Sequence, residues 1–420
     1  MRQLGGKLGA LQEGQFRLLW LGRVSSSIGD SLIGVALAFA VLEVSGSATA
    51  LGLVLALFTL SRVALTLVGG VFADRLPRRE VMLVCDGARA IVEAFTAAML
   101  LTGQMTLTMF CVTISIFGAA SAFFGPASTG LVPQTVSPER LQEANALLGL
   151  SQSMTNVFGP VLSGLLVAGV GTGWVFAVDA ASFVASALFL LRLKLPAHQR
   201  PPAPHFLTDL AKGLQEVRIR PWVWTSMIAF SITNLCFAAF LVLGPVVARN
   251  ELGGARHWGV IAGGGAIGAV LGGVWALRVR PGRPLFAGFT AWALLALPLL
   301  ALAPPLPALV VAVSYAVGLG GISFGKALWE TTLQARIPRE VLSRVSSYDW
   351  LTSFVFMPIG FVAFGPMAKQ IGIGATLLIA GAAVATVNLA VALLPPVRAI
   401  TGEVAERRSV RRPAEPRAAA

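Results

Sequence analysis

The chain has 420 residues, of which 56% are hydrophobic and 12% charged, and its formal net charge at pH 7 is +13. Because soluble domains carry about 25% charged residues, this composition excludes an ordinary water-soluble enzyme or binding domain. The mean hydropathy of +0.78 favours a protein that lies largely in lipid.

Apolar segments of about 20 residues recur along the chain, and each is long enough to cross a hydrocarbon core about 30 Å thick as an α-helix. The segments are continuous and rich in Leu, Ala, Val and Gly, whereas spanning strands would alternate apolar and polar residues. We therefore predict an all-α integral membrane protein with twelve spans. In chain order these are residues 16–42, 48–73, 80–103, 105–125, 142–169, 173–194, 222–248, 255–279, 284–303, 307–329, 343–366 and 372–395.

One long polar interruption separates the first six spans from the last six. It opens with a Pro-rich stretch and continues with the pattern of a basic amphipathic helix. This organisation predicts four parts. They are an N-terminal six-helix bundle (1–195), a linker with an amphipathic helix (196–221), a C-terminal six-helix bundle (222–396) and a basic disordered tail (397–420).

The 32 Lys and Arg residues cluster in alternate loops, and the intervening loops hold only Arg249, Arg256 and Lys369. Cytoplasmic loops carry an excess of Lys and Arg, so this asymmetry predicts that both termini and the long middle loop are cytoplasmic. The same placement explains the net charge without nucleic acid as a partner. The first 15 residues are polar and show no signal-peptide pattern, so we expect the N-terminus to be retained.

The residues that could hold a metal or a disulfide are scattered. Cys85, Cys111 and Cys236 all lie within apolar spans, and their number is odd, so no disulfide framework or thiol metal site is indicated. The three histidines fall in loops, away from the acids within the spans. We predict no cofactor, no metal and no enzyme activity, and we expect a multi-pass monomer in the cell membrane.

The two halves of the chain repeat each other. Three pairs of similar segments lie about 200 positions apart, namely residues 70–75 and 273–278, 138–141 and 338–341, and 157–160 and 355–358. One nearly constant offset indicates a duplication, and parallel six-span repeats are a transporter architecture.

The loop after the second span reads GVFADRLPRR, from Gly70 to Arg79. It resembles the motif Gly-x-x-x-Asp-Arg-x-x-Arg-Arg of the major facilitator superfamily, where this loop latches the two halves during alternating access. The resemblance implies the twelve-helix major facilitator fold in two parallel repeats. It also implies a cytoplasmic gating loop, braced by polar residues of the third span, and the expected members are Gly70, Asp74, Arg75, Arg78, Arg79, Asp86 and Arg89.

Residues 158–164 in the fifth span resemble the core of the antiporter motif of the same superfamily, through Gly159, Pro160 and Gly164. Thr155 and Ala146 stand where that motif has glycine. The alternative interpretation is a Gly-Pro kink that only aids helix packing.

The stretch from Phe124 to Ala146, together with Phe16–Trp20 and Gly29-Asp30, is similar to the twelve-helix drug-efflux subgroup that includes macrolide and siderophore exporters. This resemblance implies proton-coupled export of small hydrophobic or drug-like compounds by alternating access. Proton symport or import of a small metabolite on the same fold is the alternative.

Charged side chains near the middle of a span cost about 2.5–3.5 kcal/mol each on insertion scales, so each needs a partner or a task. Asp30, Arg62 and Glu93 lie near the midpoints of the first, second and third spans. We predict that Asp30 or Glu93 pairs with Arg62, and that Asp30 carries proton coupling or binds a charged substrate group. The alternative is a permanent buried ion pair. The second half has no carboxylate at this depth, so we expect coupling to reside in the first half.

Overall fold

The computed structural model describes residues 9–194 and 215–401. The predicted linker lies mostly outside these residues, as does most of the predicted basic tail. The described chain is helical, with short 3₁₀ turns at Gly9–Gln12, Val132–Gln134 and Pro138–Arg140. The all-α fold predicted from the sequence is therefore confirmed.

Six long helices form the N-terminal half within the described residues. They are α1 (Gly14–Ser45), α2 (Ala48–Arg75), α3 (Arg78–Leu101), α4 (Leu107–Leu131), α5 (Leu141–Val170) and α6 (Thr172–Leu191). Helix α1 packs against α5 and α6, and α3 packs against α4 and α6. These contacts bring α1, α3 and α6 together, and the candidate site lies where they meet.

The described part of the C-terminal half occupies the remaining six predicted spans, but two of these spans are interrupted. Its helices are α7 (Pro221–Glu251), α8 (Ala255–Arg278), α9 (Pro284–Ala293), α10 (Ala296–Leu302), α11 (Ala308–Arg336), α12 (Arg339–Val355), α13 (Met357–Ile371), α14 (Ile373–Leu393) and α15 (Pro395–Arg398). The ninth span breaks at residues 294–295 and the eleventh at Phe356, just before Pro358. A proline near the first turn of α13 is compatible with a helix start and cannot continue the hydrogen bonding of α12.

Helix ends follow from local sequence. Gly46 ends α1 in the left-handed conformation (φ 61°), and its N–H donates to the carbonyl oxygen of Leu42. Gly171 separates α5 from α6 at φ 89°, and Gly372 separates α13 from α14 at φ 87°. These two glycines are 201 positions apart, so the turn before the last helix of each half repeats together with its sequence.

Within the described residues, eleven helices are long and apolar enough to cross a membrane. The 24-residue helix α3, the third predicted span, is not among them. Its inner part carries Asp86, Arg89 and Glu93, which lower its hydropathy. The helix that fails the apolar criterion is thus the one that carries three charged residues of the bundle interior.

The two ends of the molecule differ in how the halves contact each other. We define the arginine-rich end as the end at loops 76–77, 132–140, 279–283 and 337–338, and the arginine-poor end as the opposite one. In the described chain, one hydrophobic core at the arginine-poor end joins both halves, and it runs from Leu32 through Leu243 to Val384. At the arginine-rich end each half has its own hydrophobic core. The core of the first half contains Phe16 and Met82, and the second half has a separate core built from its own residues. Among the described side chains, the halves therefore share a buried core at one end and have separate cores at the other.

Glycines permit the close approach of the halves at the arginine-poor end. Gly164 of α5 lies against Ala255 and Gly259 of α8, and Gly365 of α13 lies against Thr49 of α2. A Cβ atom on Gly164 or Gly365 would overlap the facing backbone. Small residues at such crossings allow helices to approach closely in a membrane.

Candidate functional site

Helix α3 presents one polar face to the inside of the N-terminal half. Asp86, Arg89 and Glu93 are spaced three and four residues apart, so their side chains lie on one side of the helix. All three are buried, with 0%, 2% and 2% of their surface exposed. Because α3 packs against α6 and lies close to α1, this face meets the acids of those helices.

Arg89 is the centre of the site. Its Nη2 donates to Asp86 Oδ1, and its Nη1 lies 3.6 Å from Oδ2 of Asp30 on α1. The guanidinium carbon lies 4.2 Å from the ring centroid of Phe124 and 4.3 Å from that of Phe183. The arginine is thus held by one hydrogen-bonded carboxylate and two rings, with a longer ion pair to Asp30.

The two acids that pair with Arg89 differ in environment. Asp86 is fully buried, and its Oδ2 accepts a hydrogen bond of 2.6 Å from Ser186 Oγ of α6. Asp30 has 42% of its side chain exposed. Helix α1, which carries Asp30, contacts α5 and α6 of its own half and α7 of the other half. Asp86 is therefore held in place by its hydrogen bonds, whereas the carboxylate of Asp30 is accessible to solvent.

Two further acids complete what we call the Arg89 cluster, which consists of Arg89, Asp30, Asp86, Glu93 and Asp179. Asp179 of α6 is fully buried and accepts a hydrogen bond of 3.2 Å from Ser182 Oγ. Its carboxylate lies against Gly29 of α1, where a Cβ atom would overlap Asp179 Oδ1 and Ser182 Oγ. Gly29 thereby allows the acid of α6 to reach the backbone next to Asp30.

Charge is unbalanced in this cluster. Four carboxyl groups surround one guanidinium, and Arg62 of α2, which is exposed, adds an electrostatic attraction on Asp30. Glu93 interacts electrostatically with Asp179, Asp30 and Arg89, and Asp179 with Asp30 and Arg89. Three buried polar atoms of the cluster have no hydrogen-bond partner within the described residues, namely Arg89 Nε, Glu93 Oε2 and Asp179 Oδ2. A water-excluded group of this composition is stabilised when protons occupy part of its carboxyl groups.

The gating-loop residues are described only in part. Gly70, Asp74 and Arg75 belong to α2, and their side chains lie outside the described residues. Arg78 Nη1 donates to the carbonyl oxygen of Gly130. This loop arginine therefore binds the last turn of α4, in its own half.

Arg79 makes an equivalent contact with α6. Its Nε donates to the carbonyl oxygen of Leu190 at 2.8 Å, and its Nη2 donates to that of Leu191 at 2.6 Å. Cations are favoured at the carbonyl end of a helix, where backbone acceptors are free. In the structure as described, both arginines thus cap helices of the N-terminal half. The latching role of the loop stays a prediction.

The antiporter-like segment lies between the site and the other half. Gly159 is packed against Ser31 of α1, Pro160 lies inside α5, and Gly164 contacts α8. Ser163 Oγ donates to the carbonyl oxygen of Leu32 at 2.5 Å. The segment of α5 around Pro160 therefore contacts α1 directly after Asp30. Close packing explains these glycines, and the antiport role stays a prediction.

Most members of the cluster were predicted from the sequence. The ion pair that the structure records for Asp30 is with Arg89, and Arg62 also attracts Asp30, so the predicted pairing with Arg62 stays a prediction. The described contacts of Asp86 and Arg89 are with Asp30 and Ser186, and their expected role in bracing the gating loop stays a prediction. Asp179 was not recognised as part of the site. The three-and-four spacing along α3 was the available signal for its centre.

Two bundles of long apolar helices, joined at one end by a hydrophobic core and with a buried charged cluster inside the first bundle, are the fold of a polytopic membrane transporter. A family model described as the Major Facilitator Superfamily matches residues 19–355. The chain belongs to this superfamily, which confirms the resemblance seen in the sequence. Among the described residues, no group of His, Cys, Asp or Glu side chains could hold a metal ion.

Curated relatives and solved structures agree with this assignment. The enterobactin exporter EntS of Escherichia coli O1:K1 is 29% identical over 385 residues, which is 87% of this chain and 90% of that protein. The nucleoside transporter NupG has the same fold, with a TM-score of 0.70 at 15% identity over 89% of this chain and 98% of that one. A bacterial homologue of the iron transporter ferroportin, in an inward-facing state, has a TM-score of 0.67 at 19% identity, over 90% of this chain and 98% of that one.

Proposed function

We propose that this protein is a proton-coupled exporter of small hydrophobic or drug-like compounds, which works by alternating access as a monomer in the cell membrane. The observation that carries the proposal is the 3.6 Å ion pair between Arg89 and Asp30, because Asp30 is the exposed acid of the Arg89 cluster. A carboxylate inside the membrane that faces a water-accessible space can exchange protons with it.

The orientation of the chain in the membrane determines which side of the membrane has access to Asp30. We assign the arginine-rich end to the cytoplasm, because cytoplasmic loops carry an excess of Lys and Arg. Both termini are then cytoplasmic. The halves share a core at the outer end and have separate cores at the cytoplasmic end. Among the described side chains, this difference supports an inward-open arrangement, in which a compound would reach Asp30 from the cytoplasm, as the loading step of an exporter requires.

Coupling between substrate and proton movement follows if both compete for the carboxylate of Asp30. An ionised Asp30 is attracted to Arg89, whereas a protonated Asp30 loses this attraction and leaves Arg89 bound to Asp86. The position of α1 relative to α3 therefore depends on whether a proton is present. A substrate that contacts Asp30 and a proton that neutralises it oppose each other, and such a coupling free energy is reciprocal. Exchange of substrate for protons is the result.

Two features next to Asp30 could transmit this change to the rest of the protein. The segment of α5 around Pro160 contacts α1 at Ser31 through Gly159 and contacts the other half through Gly164. The gating loop, with Gly70, Asp74 and Arg75, would form its latch when the cytoplasmic end closes. Arg78 and Arg79 would then leave the helix ends that they cap here.

The substrate class is supported by the relatives and by the subgroup resemblance. EntS is named as an exporter of enterobactin, and the resemblance seen in the sequence is to macrolide and siderophore exporters. A cavity between the halves of such a fold is mostly apolar with few polar groups, which suits compounds of this kind. Enterobactin and the dye ethidium are therefore suitable probes.

The proposal is tested by efflux of the two probes from cells, with the proton gradient intact or collapsed by a protonophore. We expect efflux by the wild type to need the gradient, and we expect Asp30→Asn to lose about tenfold or more of it, within the usual range of coupling energies. Glu43→Gln is the matched control, because Glu43 is an exposed acid at the outer end of the same helix.

Each possible outcome decides one part of the proposal. Equal efflux with and without the gradient would rule out proton coupling. Unchanged gradient-driven efflux in Asp30→Asn would remove Asp30 from the coupling role. Gradient-driven accumulation of the probe inside the cells would favour the alternative, a symporter or importer on the same fold.

A further inference from the structure

The acids of the Arg89 cluster form two pairs that lie at different distances from the arginine-poor ends of their own helices. Glu93 is eight residues from the arginine-poor end of α3, and Asp179 is seven residues from the same end of α6. At 1.5 Å per residue, both lie about 11–12 Å inside that end. Asp30 and Asp86 are each fifteen residues from the arginine-poor ends of their helices, or about 22 Å inside. We call Glu93 and Asp179 the outer layer and Asp30 and Asp86 the inner layer, and the two layers meet where α6 crosses α1, because Asp179 is in contact with Gly29 there.

The two layers also differ in burial. Glu93 has 2% and Asp179 0% of its surface exposed, whereas Asp30 has 42% of its side chain exposed. Within the described residues, Glu93 Oε2 and Asp179 Oδ2 have no hydrogen-bond partner. An ionised carboxylate that is buried without donors is costly, so this layer is suited to holding protons while it is closed off.

The groups that face the outer layer come from every neighbouring helix. Asp30 lies on α1, Arg62 acts on Asp30 from α2, Asp86 and Arg89 are on α3, and Ser182 on α6 donates to Asp179. From α4, the uncharged ring of Phe117 packs against Phe183 beside the cluster, with a centroid distance of 5.9 Å. Arg89 is thus the central cation that can compensate an acid of either layer.

The outer layer is in contact with the inner one. The carboxylate of Asp179 lies against Gly29, which directly precedes Asp30 in the chain. Glu93 and Arg89 are one helical turn apart on α3, which places the guanidinium between the two layers. A proton bound at Asp179 is therefore close to Asp30, but is separated from the space between the halves by Asp30 and α1.

We propose that Glu93 and Asp179 are a proton store, loaded from the outside when the arginine-poor end opens and emptied through Asp30 when the cytoplasmic end opens. In the transfer step, the O–H bond of the Asp179 carboxyl group breaks and an O–H bond forms on Asp30. Asp179 becomes the anion, Asp30 becomes neutral, and Arg89 compensates Asp179 in place of Asp30. Asp30 then releases the proton to the cytoplasm. This inference rests on the proposed proton coupling, and it adds the residues that supply the proton.

The first test needs no substrate. Infrared spectra of the protein in lipid, recorded in H₂O and in D₂O, report the C=O band of protonated carboxyl groups. We expect a band at neutral pH that exchanges slowly with D₂O and that loses intensity in both Glu93→Gln and Asp179→Asn. The band should be unchanged in Glu43→Gln, which removes an exposed acid. A wild-type spectrum without this band, or variants with the full band, would overturn the proton store whether or not the protein is an exporter.

The second test separates a proton store from a packing role. In proteoliposomes, ethidium transport is measured with an imposed proton gradient and as exchange at equal pH on both sides. We expect Glu93→Gln to lose gradient-driven transport by about tenfold and to keep exchange, with an unfolding temperature close to that of the wild type. Glu93→Asp, which restores a titratable group, should recover part of the loss. Equal losses in gradient-driven transport and exchange, or equal effects of Gln and Asp, would indicate packing and overturn the proposal.

A wild type without gradient-driven transport would refute the proposed function rather than the store. The infrared band would then still decide whether Glu93 and Asp179 hold protons. If Glu93→Gln does not fold, Asp179→Asn gives the same comparison from α6.

Discussion

The two halves share one topology but bury different kinds of polar groups. The N-terminal half buries the Arg89 cluster, with charges from three helices. In the described part of the C-terminal half, the corresponding buried link is neutral, because Asn388 Nδ2 of α14 donates to Thr233 Oγ1 of α7 at 2.8 Å. Asn388 is fully buried. In a duplicated fold, one copy can thus carry proton chemistry at this position while the other copy has a neutral packing contact there.

Aromatic packing reinforces this difference. Phe230 lies 4.4 Å from Trp292 and 5.1 Å from Trp329, measured between ring centroids, with nearly perpendicular planes. Such pairs are worth about 0.5–1.5 kcal/mol each beyond their buried area. Their ring nitrogens also have partners, since Trp292 donates to the carbonyl oxygen of Ile322 and Trp329 to Asp349. The arginine-rich end of the C-terminal half is therefore an aromatic core that contains one carboxyl group, that of Asp349, whose Oδ1 has no hydrogen-bond partner within the described residues.

The largest expected effect is at the centre of the charged half. Arg89→Met leaves Asp86 buried without its ion-pair partner, and breaking a buried pair in this way costs about 3–5 kcal/mol. Thermal unfolding of the purified protein measures the loss. Arg140→Gln is the control, because Arg140 forms a partly exposed pair with Glu13 at 3.7 Å that contributes about 0–1 kcal/mol.

A loss in Arg89→Met no larger than in the control would show that the charged cluster is not a structural feature of the N-terminal half. The double variant Asp86→Asn with Arg89→Met should recover part of the stability, because it removes the orphaned charge. No recovery would indicate that the arginine acts through the rings and not through Asp86.

An intermediate effect is expected where the halves meet. Gly164→Val places atoms against Ala255 and Gly259 of the other half, and overpacking of this kind costs about 1–3 kcal/mol. Because only the state joined at the arginine-poor end carries this cost, the population should shift toward closure of the arginine-rich end. Gly169→Val is the control on the same helix, since nothing lies within 4 Å of the added atom.

The shift can be measured as a distance between spin labels on Leu191 and Leu277, which lie exposed near the arginine-rich ends of α6 and α8. We expect a shorter distance in Gly164→Val than in the wild type or Gly169→Val. The same distance in all three proteins would contradict the assignment of this contact to one transport state.

The smallest effect is expected in the neutral half. Thr233→Val removes one acceptor of Asn388 Nδ2 while keeping the shape, and because Nδ2 keeps its hydrogen bond to the carbonyl oxygen of Val384, the loss should be about 0.5–1.5 kcal/mol. Transport of ethidium should slow or stay the same, but its dependence on the proton gradient should not change. A change in that dependence would show that both halves take part in coupling and would remove the distinction drawn here.

The fold could be predicted because its signals are long and redundant. Twelve apolar segments, alternate loops rich in Arg and Lys, and a repeat of about 200 residues all indicate the same architecture. The breaks at residues 294–295 and at Phe356 were not predicted. Both breaks lie inside continuous apolar runs, and hydropathy is the same whether or not the helix is interrupted there.

The site could be predicted only in its composition. Charges near the middle of apolar spans are visible in the sequence, and Asp30 and Glu93 were identified in this way. The pairing of Asp30 with Arg89 was not, because depth along a span does not tell which helices are neighbours. The contribution of Asp179 depends on the close approach of α6 to Gly29, about 150 positions away in the chain. No local pattern reports such a contact.

The central claim is that Asp30 exchanges its ion pair with Arg89 for a proton as substrate moves. The most direct measurement is the pH inside proteoliposomes, followed by a trapped indicator while ethidium moves down an imposed concentration gradient. We predict proton movement opposite to ethidium in the wild type and in Glu43→Gln, and ethidium movement without protons in Asp30→Asn. Ethidium movement without protons in the wild type, or protons still moving in Asp30→Asn, would contradict the claim.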